Sequence, residues 1–421
     1  MPGLHDHHIH LHALAATELS VDVGPPNVTS HGALADALRS AAGSTPPGGW
    51  IRAIGYHESV AGPLDRYALD DLELGVPVRV QHRSGALWIL DSSALDHVRT
   101  RVAMDSHDVG RDVTGEPDGR FWRFDTRLRD GIPPVAIQRH RAALETVRDR
   151  LLGFGITGVT DATPDLESEA IDQLSVLAPI HVQLLGAPAR LHLGPGLSRG
   201  PRKLLLRDHD LPDFDTLCAM IDPDSSGAGR EAVAVHCVSR ESLVLTIAAL
   251  LQVGPHALDR IEHASIAPPD LDPLLVEVGV TVVTQPDFLR TRGDHYLQDV
   301  DPGDIECLYR WRSLEAAGVP VVASSDAPYG SDNPWTVVRS AASRETRGGR
   351  VLGDNERVPA RRALESLLRP LDRPDSPARR IHVGGPADLC LLDRGVDDAL
   401  EPDGDCPVRL TVVRGTVAAG S

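Results

Sequence analysis

The segment AVAVHCVSRESLVLTIAALLQVGPHALDRIEHA, residues 232–264, decides the fold class of this chain. Its apolar residues predict a strand over 232–237, a helix over 240–251 and a second strand over 259–264. Strands that alternate with helices favour a parallel sheet, because a crossover helix returns the chain to the start of the next strand. The segment therefore predicts an α/β fold.

The same alternation extends on both sides of this segment. We predict helices over 133–152, 166–177, 271–278 and 305–317, and further strands over 155–161, 180–185, 203–206, 280–285 and 319–324. A strand that contains His8 and His10 brings the number of strands to eight. Eight strands alternating with helices predict a (β/α)8 TIM barrel, whose reactive groups lie at the carboxyl ends of the strands.

Potential metal ligands occur at these strand ends. A single histidine at a strand end is more often a hydrogen-bonded core or loop residue than a ligand, and a single aspartate there can be an ordinary turn residue. Six residues are predicted to meet at one end of the barrel: His8, His10, Lys203, His236, His263 and Asp326. This set is rich enough for two zinc-like ions with open positions for water.

The first of these ligands come from a histidine-rich segment, GLHDHHIHL at residues 3–11. Side chains two positions apart on a strand point the same way, so His8 and His10 can hold one metal ion. Spacing alone leaves the register open, because other pairs of histidines in and beside the segment satisfy the same rule. An expression tag or a tract that binds metals without further function is the alternative interpretation.

Lys203 is the only lysine among the 42 lysine and arginine residues of the chain. A buried lysine can lose its proton whereas arginine stays charged, so the presence of this one amine indicates chemistry at its nitrogen. The apolar run 203–206 is predicted as a buried strand that begins with the amine. The alternative is a surface lysine that is present by chance.

Composition restricts the partners and the compartment. The chain has 421 residues and a net charge of −18, which argues against nucleic acid and anionic membranes as partners, since both require basic patches. Five cysteines without a C-x-x-C pair indicate a reducing compartment and predict a cytoplasmic location. No apolar stretch is long enough to span a bilayer, and the N-terminus lacks the pattern of a signal peptide.

The chain resembles the amidohydrolase superfamily, and within it the family 3 subgroup that includes the N-substituted formamide deformylases. The matching motifs occur in family order along nearly the whole chain: PGL at 2–4, Asp6-x-His8-x-His10, GPRK at 200–203, Val235-His236, IEH at 261–263 and SDAP at 325–328. No single motif is specific, but their order and spacing together make a strong match.

The resemblance implies that His8 and His10 are the ligand pair and that the six residues at the strand ends bind metal. It also implies that carbon dioxide carboxylates Lys203 to a carbamate, which bridges two metal ions. The expected cofactor is therefore a divalent metal, one or two zinc ions per chain. A metal-activated water would attack the substrate, and Asp326 would act as the catalytic proton shuttle.

The resemblance also predicts how the chain divides into domains. Residues 48–130 interrupt the strand and helix rhythm, and in the subgroup this region is an insertion after strand 1 that covers the active-site mouth. We expect residues 1–47 to begin the barrel and residues 131–378 to complete it. Residues 379–421 are expected to form a C-terminal β segment, with strands over 380–383, 387–392 and 408–413.

Five residues are candidates for binding the substrate: His82, Trp88, Asp161, Gln285 and Arg290. Trp88 has an alternative role, because it could instead pack the insertion's own core. Gln285 and Asp161 could orient a ligand histidine instead. The loops predicted over 287–302 and 329–335 are placed to cover the mouth and to select the substrate.

The chain departs from the family in two respects. Relatives carry some tens of residues before the first histidine pair, and these residues form half of a small β-sandwich. Here that half is absent. Either the start is assigned too late, or a partner subunit of a homo-oligomer covers the exposed strand edge. Many relatives also carry a histidine where this chain has Ala86-Leu87.

These features predict a hydrolase that cleaves the carbon–nitrogen bond of a small amide, formamide or cyclic amide, other than a peptide bond. One alternative is a barrel that binds a metal or small ligand without turnover, because one fold hosts many functions. Another is a related metal hydrolase that acts on an ester or performs a deamination. The presence of Asp326 favours an enzyme, since a storage site needs no proton shuttle.

Overall fold

The structure is a computed structural model that describes residues 1–223, 229–402 and 404–420. It divides into two compact units, a larger one of Met1–Leu14 with Leu144–Ser421 and a smaller one of Ala15–Ala143. None of the helices in the described part of the chain has the length and hydrophobicity needed to cross a membrane.

The strands of the described residues are β1 (Leu4–Ile9), β2 (Val21–Asp22), β3 (Ile51–Tyr56), β4 (Val78–His82), β5 (Leu87–Leu90), β6 (Val109–Arg111), β7 (Pro117–Trp122), β8 (Ile156–Asp161), β9 (His181–Leu184), β10 (Leu197–Arg199), β11 (Arg202–Leu205), β12 (Val233–Cys237), β13 (Arg260–His263), β14 (Thr281–Thr284), β15 (Val321–Ala323), β16 (Leu389–Leu392), β17 (Val408–Val413) and β18 (Thr416–Gly420).

The α-helices are α1 (Leu11–Glu18), α2 (His31–Ser44), α3 (Glu58–Ala61), α4 (Arg66–Asp70), α5 (Ser92–Val98), α6 (Asp125–Gly131), α7 (Ile137–Gly153), α8 (Ser168–Gln173), α9 (Phe214–Ile221), α10 (Arg240–Val253), α11 (Asp272–Val278), α12 (Asp287–Asp299), α13 (Trp311–Ala317), α14 (Pro334–Ser343), α15 (Ala360–Ser366) and α16 (Val396–Ala399). Short 3-10 helices occupy Leu174–Leu177, Pro269–Leu271, Ile305–Cys307 and Asp354–Glu356.

The larger unit contains two parallel sheets. One has the strand order β1-β8-β9-β10 and the other the order β11-β12-β13-β14-β15. Backbone hydrogen bonds join the sheets, among them those from Lys203 N to Leu185 O and from Asp326 N to His8 O, each 2.8 Å long. The predicted α/β fold with parallel strands is therefore confirmed.

The strands of the second sheet are largely buried, and this includes β13, although three of its four residues are polar or charged. All residues of β13, β14 and β15 are buried, which is typical of parallel strands covered on both faces. Helix α10 follows β12 and begins with a capping box, in which the side chains of Ser239 and Ser242 each accept a hydrogen bond from the other's backbone N–H. The βαβ unit predicted from residues 232–264 is present.

The smaller unit is built on a six-stranded mixed sheet of order β2-β3-β4-β5-β7-β6. Strands β2, β3 and β4 run parallel, whereas β5 and β7 are antiparallel to their neighbours. Two clusters of buried side chains form its core, one around Leu38 and Val80 and the other around Trp88 and Phe121. The unit therefore has a hydrophobic core of its own.

Strands β16, β17 and β18 form a small antiparallel sheet. The first residues of the chain extend this sheet beyond β16, because Pro2 forms a β-bridge with Leu389 and Cys390 N donates to Met1 O. The strand predicted over 380–383 is wrong. That segment is irregular and ends in a turn in which Gly385 N donates to His382 O, and Val383 is fully exposed.

Two predictions in the region after β14 are also wrong. The loop predicted over 287–302 is largely the helix α12, which begins after Pro286 and carries Asp287 in its first turn, both favourable at a helix N-terminus. The single helix predicted over 305–317 is divided into a 3-10 turn and α13, because Tyr309 between them has a left-handed backbone with φ of 48°.

Candidate metal centre

The larger unit brings histidines and one aspartate together at the carboxyl ends of its strands. His8 lies near the end of β1 with His10 just beyond it, while His263 is the last residue of β13. His236 lies in β12, and its neighbour Cys237 pairs in register with His263. Asp326 follows β15, and its backbone N–H donates to His8 O.

The side chains in this group lie at distances suitable for sharing a cation. Asp326 Oδ1 is 3.2 Å from His10 Nε2 and 3.5 Å from His8 Nε2. One potential ligand atom from each of these three residues lies within 4.8 Å of the others. His263 Nε2 lies 2.9 Å from His236 Nδ1, and two nitrogens at that separation can both be about 2.1 Å from one zinc ion.

Lys203 is buried in the same unit, with 6% of its surface exposed. It pairs in register with Ala234 of β12, two positions before His236. Burial lowers the pKa of its amine, while the charges of Glu262 and Asp326 oppose that shift. The amine therefore lies within the electrostatic reach of the site.

Three buried polar atoms indicate that a metal ion would fit among these residues. Across the residues that the structure describes, His8 Nε2, Lys203 Nζ and Asp326 Oδ1 have no hydrogen-bond partner. Buried polar atoms are nearly always paired, so unpaired atoms of ligand chemistry require an explanation. A divalent cation fits the chemistry of this donor set.

Glu262 fixes the orientation of His8, a contact that the sequence alone did not predict. Its carboxylate contacts His8 Nδ1 and accepts hydrogen bonds from Arg260, with Arg260 Nε 2.8 Å from Glu262 Oε1. A carboxylate on one ring nitrogen fixes the tautomer, which leaves the other nitrogen free for a metal. The sequence feature that could have identified Glu262 is Arg260, an oppositely charged residue two positions earlier in the same buried strand. At that spacing both side chains lie on one face of the strand.

Gln285 contacts Nδ1 of His263, just as Glu262 contacts Nδ1 of His8. Its Oε1 lies 2.7 Å from His263 Nδ1, and its amide nitrogen donates to Ser324 Oγ and Val283 O. The amide donors therefore point away from the ring, so His263 Nδ1 carries the proton and Nε2 presents its lone pair. His10 Nδ1 is held more loosely, 3.3 Å from Thr163 Oγ1.

The pKa values of the site favour metal-binding protonation states. Burial lowers the pKa of His236 to about 4 and that of His263 to about 3, and it also lowers the pKa of His8. Burial alone would raise the pKa of Asp326, but the neighbouring histidines lower it below its ordinary value. Neutral imidazoles and an ionised carboxylate are the forms that bind metals.

The backbone is strained at two of the strand ends. His263 and Asp326 have positive φ values of 73° and 50°, which are uncommon for residues other than glycine. Such conformations persist only where the surroundings hold them, and they concentrate at functional sites. Asp326 is held by the hydrogen bond from its N–H to His8 O and by one from Tyr329 N to its own carbonyl.

The other residues predicted to bind substrate lie in defined surroundings. Asp161 is fully buried and accepts hydrogen bonds from Leu11 N and Thr163 N, which join the segments after β1 and β8. Arg290 pairs with Asp287, with Nε 2.6 Å from Oδ1. For both residues, contact with substrate stays a prediction.

His82 and Trp88 belong to the smaller unit. His82 lies 3.1 Å from Glu58 through Nε2 and 2.7 Å from Ser84 Oγ through Nδ1. Trp88 is buried in the core of that unit, with the guanidinium groups of Arg52 and Arg79 over its ring. This packing supports the interpretation of Trp88 as a core residue, and the substrate contacts of both residues stay predictions.

The chain is similar to known proteins over most of its length. Among curated proteins, the chain is similar to an N-substituted formamide deformylase from Arthrobacter pascens, with 25% identity in an alignment that covers 94% of this chain and 83% of that protein. Among solved structures, it is similar to uncharacterized metal-dependent hydrolases from Pyrococcus horikoshii OT3 and Pyrococcus furiosus, with TM-scores of 0.68 and 0.66. Each of the two structures is 19% identical to this chain, and each match covers 87% of this chain and 80% of the chain in the solved structure.

A family model described as the amidohydrolase family matches residues 1–208 and 232–419, which is most of the chain. The match includes all six of the potential metal ligands that the motifs identified. The chain belongs to the amidohydrolase family.

Proposed function

We propose that this protein is a metal-dependent hydrolase that cleaves the carbon–nitrogen bond of a small amide, formamide or cyclic amide. The observation that carries the proposal is the convergence of His8, His10, His263 and Asp326 around buried atoms that have no hydrogen-bond partner among the described residues. Membership of the amidohydrolase family and similarity to a formamide deformylase support this reaction class.

The proposal includes a closed barrel. The two parallel sheets supply eight strands, β1, β8, β9 and β11–β15, and backbone hydrogen bonds join β9 to β11 and β15 to β1 through the residues beside them. A (β/α)8 barrel with this order would bring the six proposed ligands to one mouth. The metal ligands would be His8, His10, Lys203, His236, His263 and Asp326.

Lys203 would contribute as a carbamate. The neutral amine adds to carbon dioxide, a carbon–nitrogen bond forms, and one proton leaves to give an anionic carboxylate on the side chain. Burial favours the neutral amine that this reaction requires, because it lowers the pKa of Lys203. The two oxygens of the product would be suitable ligands for a pair of ions, whereas an unmodified ammonium would repel them.

A divalent ion, when bound, supplies Lewis acidity, because it polarises a scissile carbonyl and makes water acidic enough to act as a nucleophile near neutral pH. Asp326 is an ionised carboxylate at the centre of the histidine group, so it can accept a proton from the attacking water. It would then donate that proton to the leaving nitrogen. The buried pair of Glu262 and Arg260 keeps His8 in a fixed orientation throughout.

Two measurements on protein without a polyhistidine tag test the proposal: metal content, and turnover of small formamides, N-acyl amines, lactams, esters and amino-substituted heterocycles. We expect more than one zinc-like ion per chain and turnover of at least one carbon–nitrogen substrate. His8→Asn should lose metal and turnover. The matched control is His12→Asn in the same segment, because His12 lies 3.0 Å from Ala170 O through Nε2 and outside the ligand group.

Several results would contradict the proposal. Turnover of esters only, or deamination only, would contradict the proposed reaction class but not the proposed metal centre. Metal binding without turnover of any substrate would favour a binding protein. Equal metal content in the His8 variant and the wild type would exclude the site itself.

A further inference from the structure

A second group of potential metal ligands lies entirely in the smaller unit. His57 directly follows β3, Glu58 is the first residue of α3, and His82 is the last residue of β4. One donor atom from each side chain lies within 4.8 Å of the others. We propose that His57, Glu58 and His82 bind a divalent zinc-type ion, and this proposal does not depend on the proposed hydrolase function.

The sheet topology brings the two histidines together. Strands β3 and β4 are parallel neighbours, and Tyr56 pairs in register with His82. The chain therefore leaves both strands at the same edge of the sheet, where open α/β sheets commonly bind ligands. Glu58 follows His57 directly, so it reaches the same place from the start of α3.

The distances suit tetrahedral coordination. Glu58 Oε2 lies 3.1 Å from His82 Nε2 and 3.9 Å from His57 Nε2. Two ligand atoms at ordinary zinc distances and a tetrahedral angle are about 3.4 Å apart, so the observed values lie on either side of the ideal one. Two histidines and one glutamate with a fourth position left for water is a donor set that zinc accepts in proteins.

Each histidine has the same local support on its other ring nitrogen. His57 Nδ1 lies 2.8 Å from Ser59 Oγ, and His82 Nδ1 lies 2.7 Å from Ser84 Oγ. The backbone N–H of each serine also donates to the same nitrogen, at 3.1 Å. Nδ1 therefore accepts and Nε2 carries the proton of the neutral ring, so an ion at Nε2 would require the other tautomer, in which Nδ1 donates to the serine hydroxyl.

Burial and charge are consistent with this arrangement. The side chains of His57 and His82 are 25% and 16% exposed, whereas that of Glu58 is 48% exposed, so solvent reaches the group from the glutamate side. Burial raises the pKa of Glu58, but hydrogen bonding and the attraction of His82 lower it overall. The carboxylate is therefore ionised at neutral pH and can serve as an anionic ligand.

A bound ion would join the ends of β3 and β4 to the start of α3. His82 would then hold a structural ion in the smaller unit, which differs from the substrate-binding role predicted from the sequence. The motif His-x-Ser, present at 57–59 and 82–84, is the sequence feature that marks both ligands.

Zinc content measured on the untagged full-length protein by mass spectrometry, after equilibration with zinc and removal of loosely bound metal, tests the proposal. Glu58→Gln and His82→Asn should each bind one ion fewer per chain than the wild type. The matched control is His107→Asn, because His107 lies 3.6 Å from Asp108 but belongs to no group of three donors among the residues described. It should keep the wild-type content.

Unchanged zinc content in both variants, or the same loss in the His107 control, would overturn the proposal. Circular dichroism establishes that the variants are folded. A second measurement covers variants that do not fold: crystals of the wild type with zinc should show an anomalous scattering peak between the three side chains. Its absence in crystals that show zinc elsewhere would also overturn the proposal.

Discussion

The imidazole of His8 contacts the carboxylate of Glu262, which lies 254 positions further along the chain, and both side chains are fully buried. Arg260 donates hydrogen bonds to the same carboxylate, and its Nη2 also donates to His7 O at 2.7 Å. The orientation of a proposed ligand on β1 therefore depends on an ion pair within β13.

Glu262→Gln is expected to lower zinc affinity about 10- to 100-fold, because outer partners of ligand histidines usually contribute this much. Competition with a chromophoric chelator measures the affinity. Glu356→Gln is the control, since Glu356 is also buried and accepts a hydrogen bond from Ser313 N, outside the ligand group. It should lower the free energy of unfolding without changing zinc affinity. Wild-type affinity in the Glu262 variant would contradict the orienting role.

Lys203→Arg is expected to remove one ion per chain and abolish hydrolysis, because a guanidinium cannot form a carbamate. Metal analysis gives the stoichiometry, and carbon-13 NMR after addition of labelled bicarbonate should show a carbamate signal in the wild type and not in the Lys203 variant. Arg202→Lys is the control, because it places an amine next to Lys203 while it keeps Lys203 itself. Full activity in the arginine variant would show that Lys203 is a bystander.

Asp326→Asn is expected to lower kcat by about 10²- to 10⁴-fold, which is the usual contribution of a positioned acid or base. Zinc should remain bound through the histidines, although more weakly. Asp332→Asn serves as the control, since Asp332 pairs with Arg150 at 2.6 Å and lies outside the ligand group. If turnover of the Asp326 variant equals that of the wild type, another residue moves the proton.

Trp88→Ala is expected to lower the free energy of unfolding by about 3–5 kcal/mol, the range for removal of a buried large aromatic side chain. The reason is that Trp88 is 5% exposed and packs in the core of the smaller unit. Urea denaturation measures the change. Val113→Ala, at a fully exposed position of the same unit, should leave stability unchanged. A stable Trp88 variant with a raised KM would instead support the substrate-binding role.

Some expected elements differ from the structure because tertiary contacts, and not the local sequence, decide them. The sequence predicts a loop over 287–302, where the structure has the helix α12. Its buried residues Phe288 and Leu289 pack with Leu308 and Tyr309, contacts that are distant in sequence. The segment 380–383 is apolar enough for a strand but has no neighbouring strand to pair with in the described structure.

Sequence by itself determined the family, the alternation of strands with helices and the placement of ligand-type residues at strand ends. These properties follow from local patterns, since a strand sets the direction of its side chains and a family motif is read in chain order. The resemblance to the amidohydrolase family is confirmed by the match over most of the chain.

Only the tertiary structure decided which side chains orient the proposed ligand histidines. The contacts of Glu262 with His8 and of Gln285 with His263 join different strands, and no local periodicity encodes such pairs. The same holds for the group of His57, Glu58 and His82, which exists because β3 and β4 are neighbours in register. Strand pairing, which depends on the packing of the whole sheet, brings these atoms within a few ångströms of each other.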